Sequence, residues 1–281
     1  MPSGSCSRKT RSRRLLSSTR QRDEESPVTD TSVPQSQPET YYSGAYWGPR
    51  KESAEECARR TADFLNLLAQ CDPFLAHWYK PARSRKDARQ HPLMPPDVSS
   101  LTELFRRGVN RESGGPPIES LGYTFWFGNG GGDYDSADLR ILCGGHDEAV
   151  LNSCVLKLPT LGRGANADGV LTSPVLTGAV RSMALAWEPD WAFATSHAYE
   201  SQSQEPDSAP FSLGWITYLS RRLGTVPPLP APVRIEPVED KGTLIILTPE
   251  RFTVKNPEHL ALAEQVRGLL AKAGLMKPLA P

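Results

Sequence analysis

Nothing in the 281 residues approaches the roughly 20 consecutive apolar residues of a membrane-spanning helix, so no membrane partner is expected. The N-terminus is basic, but its apolar content stops at Leu15-Leu16, too little for the core of a secretory signal. Cysteine is scarce and odd in number: Cys6, Cys57, Cys71, Cys143 and Cys154, with no Cys-x-x-Cys pair. That excludes a disulfide framework and a zinc ribbon, and reads as the reduced thiols of a cytoplasmic protein. There is no Gly-x-Ser-x-Gly elbow, no glycine loop ending in Gly-Lys-Ser/Thr and no dinucleotide glycine spacing. The five histidines, His77, His91, His146, His197 and His259, do not cluster. No enzyme, no metal and no cofactor is expected from these absences.

Acidic residues are missing from the first 22 positions, which hold seven Lys/Arg, whereas residues 23–281 hold 25 basic and 32 acidic residues, a net of −7. A mildly acidic body argues against direct binding of nucleic acid, which needs a basic face. Large apolar residues are nearly absent from residues 1–38, so residues 1–39 read as a disordered basic and polar tail. Its composition fits an organellar transit peptide or a contact with nucleic acid or anionic lipid. The favoured reading is a solvated tail, or translation from a start codon placed too far upstream.

What is present is organised around Thr172–Thr195. Thr172 or Ser173 can cap a helix that Pro174 opens, and Val175, Ala179, Ser182, Met183 and Ala186 follow at helical spacing. With Arg181 as its one charge, this helix should lie buried against a sheet. Glu188-Pro189-Asp190 stops it, and Trp191, Phe193 and Thr195 alternate with alanines as on a half-buried strand. Upstream, Tyr41 to Trp47 reads as a strand, and Ser53-Ala54-Glu55-Glu56 as a capping box opening an amphipathic helix to about Cys71. Phe74 to Tyr79 is a short strand or a link, Ser84 to His91 a short exposed helix, and Ser100 to Val109 a second capping-box helix with Ser100 and Glu103 as the pair.

Leu121–Phe127 and Leu139–Cys143 form a hairpin around the Asn129–Asp133 turn, and Val150–Leu158 is a further strand. Residues 159–170 are a loop, and His197–Pro210 is polar and mobile. Phe211–Ser220 is a strand, Pro227–Pro232 a stiff spacer, Val233–Val238 and Thr243–Leu247 a hairpin, and Asn256-Pro257 the start of a last helix ended by Gly274. The expectation is α+β: a mostly antiparallel sheet flanked by several helices, with residues 40–281 as a single domain.

Candidate chemistry is sparse. Asp133, Tyr134, Asp135 and Asp138 set three carboxylates and a tyrosine on one loop, able to meet a metal or a basic partner or to be a solvated turn. Trp47 and Trp126 sit beside turns and can anchor a protein interface, where buried aromatics dominate binding energy. Cys143 and His146, with Cys154, supply three metal-ligand types, one short of a structural zinc site. The same Cys–His pair has no third group to orient it as a nucleophile. His197 is a lone candidate base.

Gly44-Ala45-Tyr46-Trp47-Gly48 with the Ser53–Arg60 helix start, Ala184–Trp191 (ALAWEPDW), Gly214–Leu219 (GWITYL) and Glu236–Phe252 resemble the immunity protein 52 family, over roughly residues 40–277. The resemblance implies a cytoplasmic antidote, encoded beside a toxin of a polymorphic or type VI secretion system. It implies stoichiometric binding to that cognate toxin, typically a restriction-endonuclease-fold nuclease, and blockage of its active site or substrate path. Carboxylates could then stand where the toxin expects phosphates. The alternatives are a small hydrolase using His197 or His146, and a regulatory protein that binds nucleic acid through its tail. The oligomeric state is left open.

Overall fold

The computed structural model describes residues 38–113, 115–203 and 213–276. Residues 1–37 of the expected 1–39 tail, the 204–210 stretch and Phe211 lie outside them, whereas Glu39 belongs to the folded body, buried and accepting the hydroxyls of Ser196 and Thr253. The described chain builds one eight-stranded sheet in which every neighbouring pair is antiparallel, with several helices against it.

Strand β1 (Tyr41–Trp47) leads into helix α1 (Ala54–Leu68). The capping box at its start is complete: the Glu56 amide donates to Ser53 Oγ at 3.2 Å, and the Ser53 amide donates to the Glu56 carboxylate at 2.7 Å. A 3₁₀ turn, Pro73–Leu75, and the short helix α2 (Arg85–Ala88) follow, then α3 (Val98–Arg107). The cap of α3 is Asp97, not Ser100. Its carboxylate accepts the Ser100 amide at 2.9 Å and the hydroxyls of Ser100 and Ser99, which hold its pKa down at about 2. A carboxylate caps a helix as well as a hydroxyl does, so the helix starts three residues earlier than the Ser/Glu spacing predicts.

Next come β2 (Tyr123–Gly128), β3 (Asp138–Cys143) and β4 (Asn152–Lys157). The expected 159–170 loop contains a four-residue helix, α4 (Ala167–Val170). The central helix α5 (Ser173–Trp187) forms as expected, with Thr172 in the cap position. The Thr172 hydroxyl does not cap it, but donates to Gly169 O at 3.4 Å. The helix ends at Glu188, which turns into the left-handed region at φ 48°, and Pro189 beyond it has no amide to continue the helix.

Strand β5 (Trp191–Ser196) is buried on both faces, not on one. His197–Ser203 is helix α6 where a mobile stretch was expected. Strands β6 (Ile216–Ser220), β7 (Arg234–Val238) and β8 (Gly242–Ile246) and helix α7 (Pro257–Lys272) complete the chain. Gly274, at φ +75°, follows α7 as the sequence predicts.

The strand order is β2-β3-β4-β1-β5-β6-β8-β7, so the first strand is threaded into the middle of the sheet. Register fixes two faces, because side chains alternate. Trp47, Cys154, Ala192, Tyr218 and Leu244 share the side on which α5 packs; Trp47 stacks on Trp187 of α5, centroids 5.3 Å apart. Helix α1 packs on α5 and α3, and α3 reaches β2, so these helices form one layer.

Two buried polar groups bind this framework. Asn152 accepts the Gly145 amide and donates to Gly48 O and Gly145 O, each at 2.9 Å. Asp190 accepts the Gly48 amide at 3.0 Å and Arg222 at 2.7 Å. Each joins loops that adjacent strands leave unpaired at the sheet end.

Candidate functional site

The other face of the sheet carries Trp126 on β2, Asp138 and Arg140 on β3, Val155 and Lys157 on β4, and Tyr42 and Tyr46 on β1. Gly44 lets this face close on itself. The Tyr46 hydroxyl lies 2.7 Å from where a Cβ would stand, so the ring folds flat along the strand, stacked on Phe193 and Trp191. Burial pushes the Tyr46 hydroxyl up to about 12.

Towards the β2 edge the face opens into a cleft of about 920 Å³. The segment around α2 forms one wall and the 130–136 turn the other, with β2, β3 and β4 as the floor. Tyr79 brings the first wall in by exchanging backbone hydrogen bonds with Gly128, at 2.9 and 3.4 Å. The turn is held by Asn129, whose side-chain oxygen accepts the Gly131 and Ala137 amides. Gly130, at φ +70°, allows its tight reversal, and a Cβ there would stand 3.1 Å from the Tyr79 ring.

Four of the six residues nominated from sequence line this cleft: Trp126, Asp133, Tyr134 and Asp138. Trp126 is 53% exposed, large for an indole, and Arg140 lies over its ring at 5.0 Å. Tyr134 is 58% exposed and carries Arg163 over its ring, also at 5.0 Å. The carboxylates are engaged by their neighbours. Asp133 pairs with Arg85 across the cleft, Asp138 with Lys157 at 3.8 Å, and Asp135, beside the cleft, accepts the Asn166 amide at 3.0 Å and its side chain at 2.8 Å. They brace the cleft walls instead of standing free.

Trp47 is placed differently. It is 1% exposed, between Trp187 and the Arg50 guanidinium, on the helix side of the sheet. It is core and has no surface to offer a partner, because its strand position points it at α5 while that of Trp126 points away.

The residues considered for hydrolysis do not form a constellation. His146 Nδ1 sits 3.2 Å from Gly144 O in a loop. His197 stacks on Tyr42 with centroids 4.6 Å apart, its Nδ1 3.5 Å from Glu200, while the Tyr42 hydroxyl donates to the same carboxylate at 2.7 Å. Cys143 and Cys154 are buried, and burial pushes both thiols up, away from thiolate chemistry. Among the described residues, no three His, Cys, Asp or Glu side chains are grouped to hold a metal. No described helix is long and apolar enough to cross a membrane.

Sequence reasoning missed the cations of the cleft: Lys80, Arg85, Arg140 and Lys157. One was within reach, since the expected β2–β3 hairpin, taken in register, sets Arg140 opposite Trp126. The others come from a loop, from helix α2 and from a third strand, which no local signal joins to it.

A family model described as Immunity protein 52 matches residues 39–279. No curated protein matches the sequence. Among solved structures, the chain is similar to the Pseudomonas aeruginosa T6SS protein PA0821, at a TM-score of 0.47 and 11% identity, over 85% of this chain and 73% of that one.

Proposed function

Because the chain belongs to the immunity protein 52 family, we propose that it binds a cognate secreted toxin one-to-one in the cytoplasm and neutralises it by occlusion. Residues 40–281 act as one binding body, and the tail is dispensable. The toxin belongs to a polymorphic or type VI secretion system, and a nuclease of restriction-endonuclease fold is the class the sequence resemblance favours. The observation that carries the reading is the convergence of Trp126, Asp133, Tyr134 and Asp138 on one open cleft. An exposed indole and an exposed phenol at its mouth supply the large, stiff contact area on which binding hot spots are built. Asp135, behind Tyr134, holds the turn in shape through Asn166.

Co-expression tests this. The toxin encoded beside the gene should arrest growth alone and be silenced by the chain, and a pull-down with residues 40–281 should recover a stoichiometric complex. An active toxin that neither binds nor is silenced removes it as the partner. Loss of toxin on repeated turnover by sub-stoichiometric chain would instead point to an enzyme.

A further inference from the structure

The charge of the cleft is the reverse of the charge of the chain around it. Residues 38–281 hold 25 Lys/Arg and 28 Asp/Glu, a net of −3. The cleft is lined by four cations and two carboxylates, a local net of +2. The two carboxylates are already matched, Asp133 by Arg85 and Asp138 by Lys157. The surplus is therefore Lys80 and Arg140, neither of which has a carboxylate partner among the described residues. Arg140 is held in place by the Trp126 ring, which leaves its guanidinium N–H edges for a ligand.

We infer that the cleft receives an acidic segment of the partner protein, its carboxylates taken by Arg140 and Lys80 and its apolar side chains laid on Trp126 and Tyr134. The inference rests on the immunity reading and adds the chemistry of the contact. It replaces the expectation that this protein presents free carboxylates where the toxin expects phosphates, because those of the 133–138 turn are engaged within the chain. A nucleic acid also takes cations and aromatic platforms, but it needs a basic field along its length. Here a confined positive cleft lies in a body of negative net charge. That suits a short acidic stretch and opposes a long polyanion.

The test is calorimetric titration of the full chain with the toxin encoded beside its gene, followed by hydrogen exchange of the toxin in the complex. Wild type should bind one-to-one with an affinity that falls steeply as salt rises. Lys80→Glu with Arg140→Glu should weaken binding by about a hundredfold, in the range of charge pairs at protein interfaces. Lys255→Glu, an exposed reversal elsewhere, should leave affinity unchanged. Arg140→Gln, read beside a thermal melt, guards against a folding defect and should weaken binding about tenfold. The toxin segment that gains protection should carry more Asp and Glu than Lys and Arg. Tight wild-type binding that survives the double reversal overturns the inference and leaves the immunity reading standing. A protected segment that is neutral or basic does the same. Absence of both wild-type binding and growth rescue overturns the two together. Retention of an oligothymidylate by wild type and not by Arg140→Glu would assign the cleft to nucleic acid and also overturn the inference.

Discussion

Arg140 and Trp126 are register partners across β2 and β3, and the guanidinium lies 5.0 Å from the indole centroid. The pair explains how an exposed tryptophan is held still on an edge strand. A preset aromatic loses little conformational freedom when a partner covers it, so more of the contact energy survives as affinity.

Trp126 and Trp47 should therefore separate binding from folding. Trp126→Ala should cost about 2 kcal/mol or more of toxin affinity and change stability by less than about 0.5 kcal/mol. Trp47→Ala, which empties a site between Trp187 and Arg50, should cost about 3–5 kcal/mol of stability. Urea denaturation and calorimetry on both variants decide it, and equal melting of the two would contradict the assignment.

Asn152 is fully buried and serves the Gly145 amide and two carbonyls. Asn152→Leu is close in volume but leaves the Gly145 amide and Gly48 O without partners, while Gly145 O keeps the Arg50 amide at 2.8 Å. Each orphan costs about 1–3 kcal/mol, so urea denaturation should show a loss of several kcal/mol. A near-neutral result would mean that the Gly145 loop repairs itself or takes up water.

The Glu188–Lys241 pair, 2.5 Å apart, sets a pH signature. The hydrogen bond from Lys241 lowers the Glu188 pKa from 4.5, and the same bond raises that of Lys241 from 10.5. A depressed carboxyl contributes stability that is present above its unfolded value and lost as pH falls through the folded one. A raised ammonium contributes stability that is present below its unfolded value and lost as pH rises through the folded one. The stability difference between wild type and Glu188→Gln should thus be flat between 4.5 and 10.5, shrink on the acid side below 4.5 and shrink on the alkaline side above 10.5. Both groups are partly exposed, so its size should stay within about 1 kcal/mol. Melts across this range, with a difference that peaked at either extreme, would refute the pairing.

Thiol chemistry should rank the cysteines. Cys57, Cys143 and Cys154 are buried, and burial also pushes up the thiol of the partly exposed Cys71. Near neutral pH a disulfide reagent should modify Cys71 slowly and the three buried thiols only on unfolding. Mass mapping of the labelled sites checks the order, and early labelling of Cys143 would contradict its burial.

Helix starts, turns and hairpins were legible because their signals are local. The Ser53–Glu56 box, Pro174, the Asn129–Asp133 turn and Gly274 act on residues within a few positions, and each element stands close to where those signals put it. The misses had competing signals just as near. Asp97 won over Ser100 because its carboxylate caps the chain earlier, accepting the amide of Ser100 itself, and His197–Ser203 went into a helix that its polarity disguised.

By itself the sequence determined the element types, the apolar helix at the centre, and the kinship of the chain, because these reside in short-range spacing and in residue identity. Only the tertiary structure decided that β1 lies between β4 and β5, that Trp47 faces α5 while Trp126 faces out, and that Lys80, Arg140 and Lys157 share one cleft. The reason is physical. A strand pattern of period two names two faces without saying which one a helix will cover, and charges some 80 residues apart meet only after the strands between them have paired.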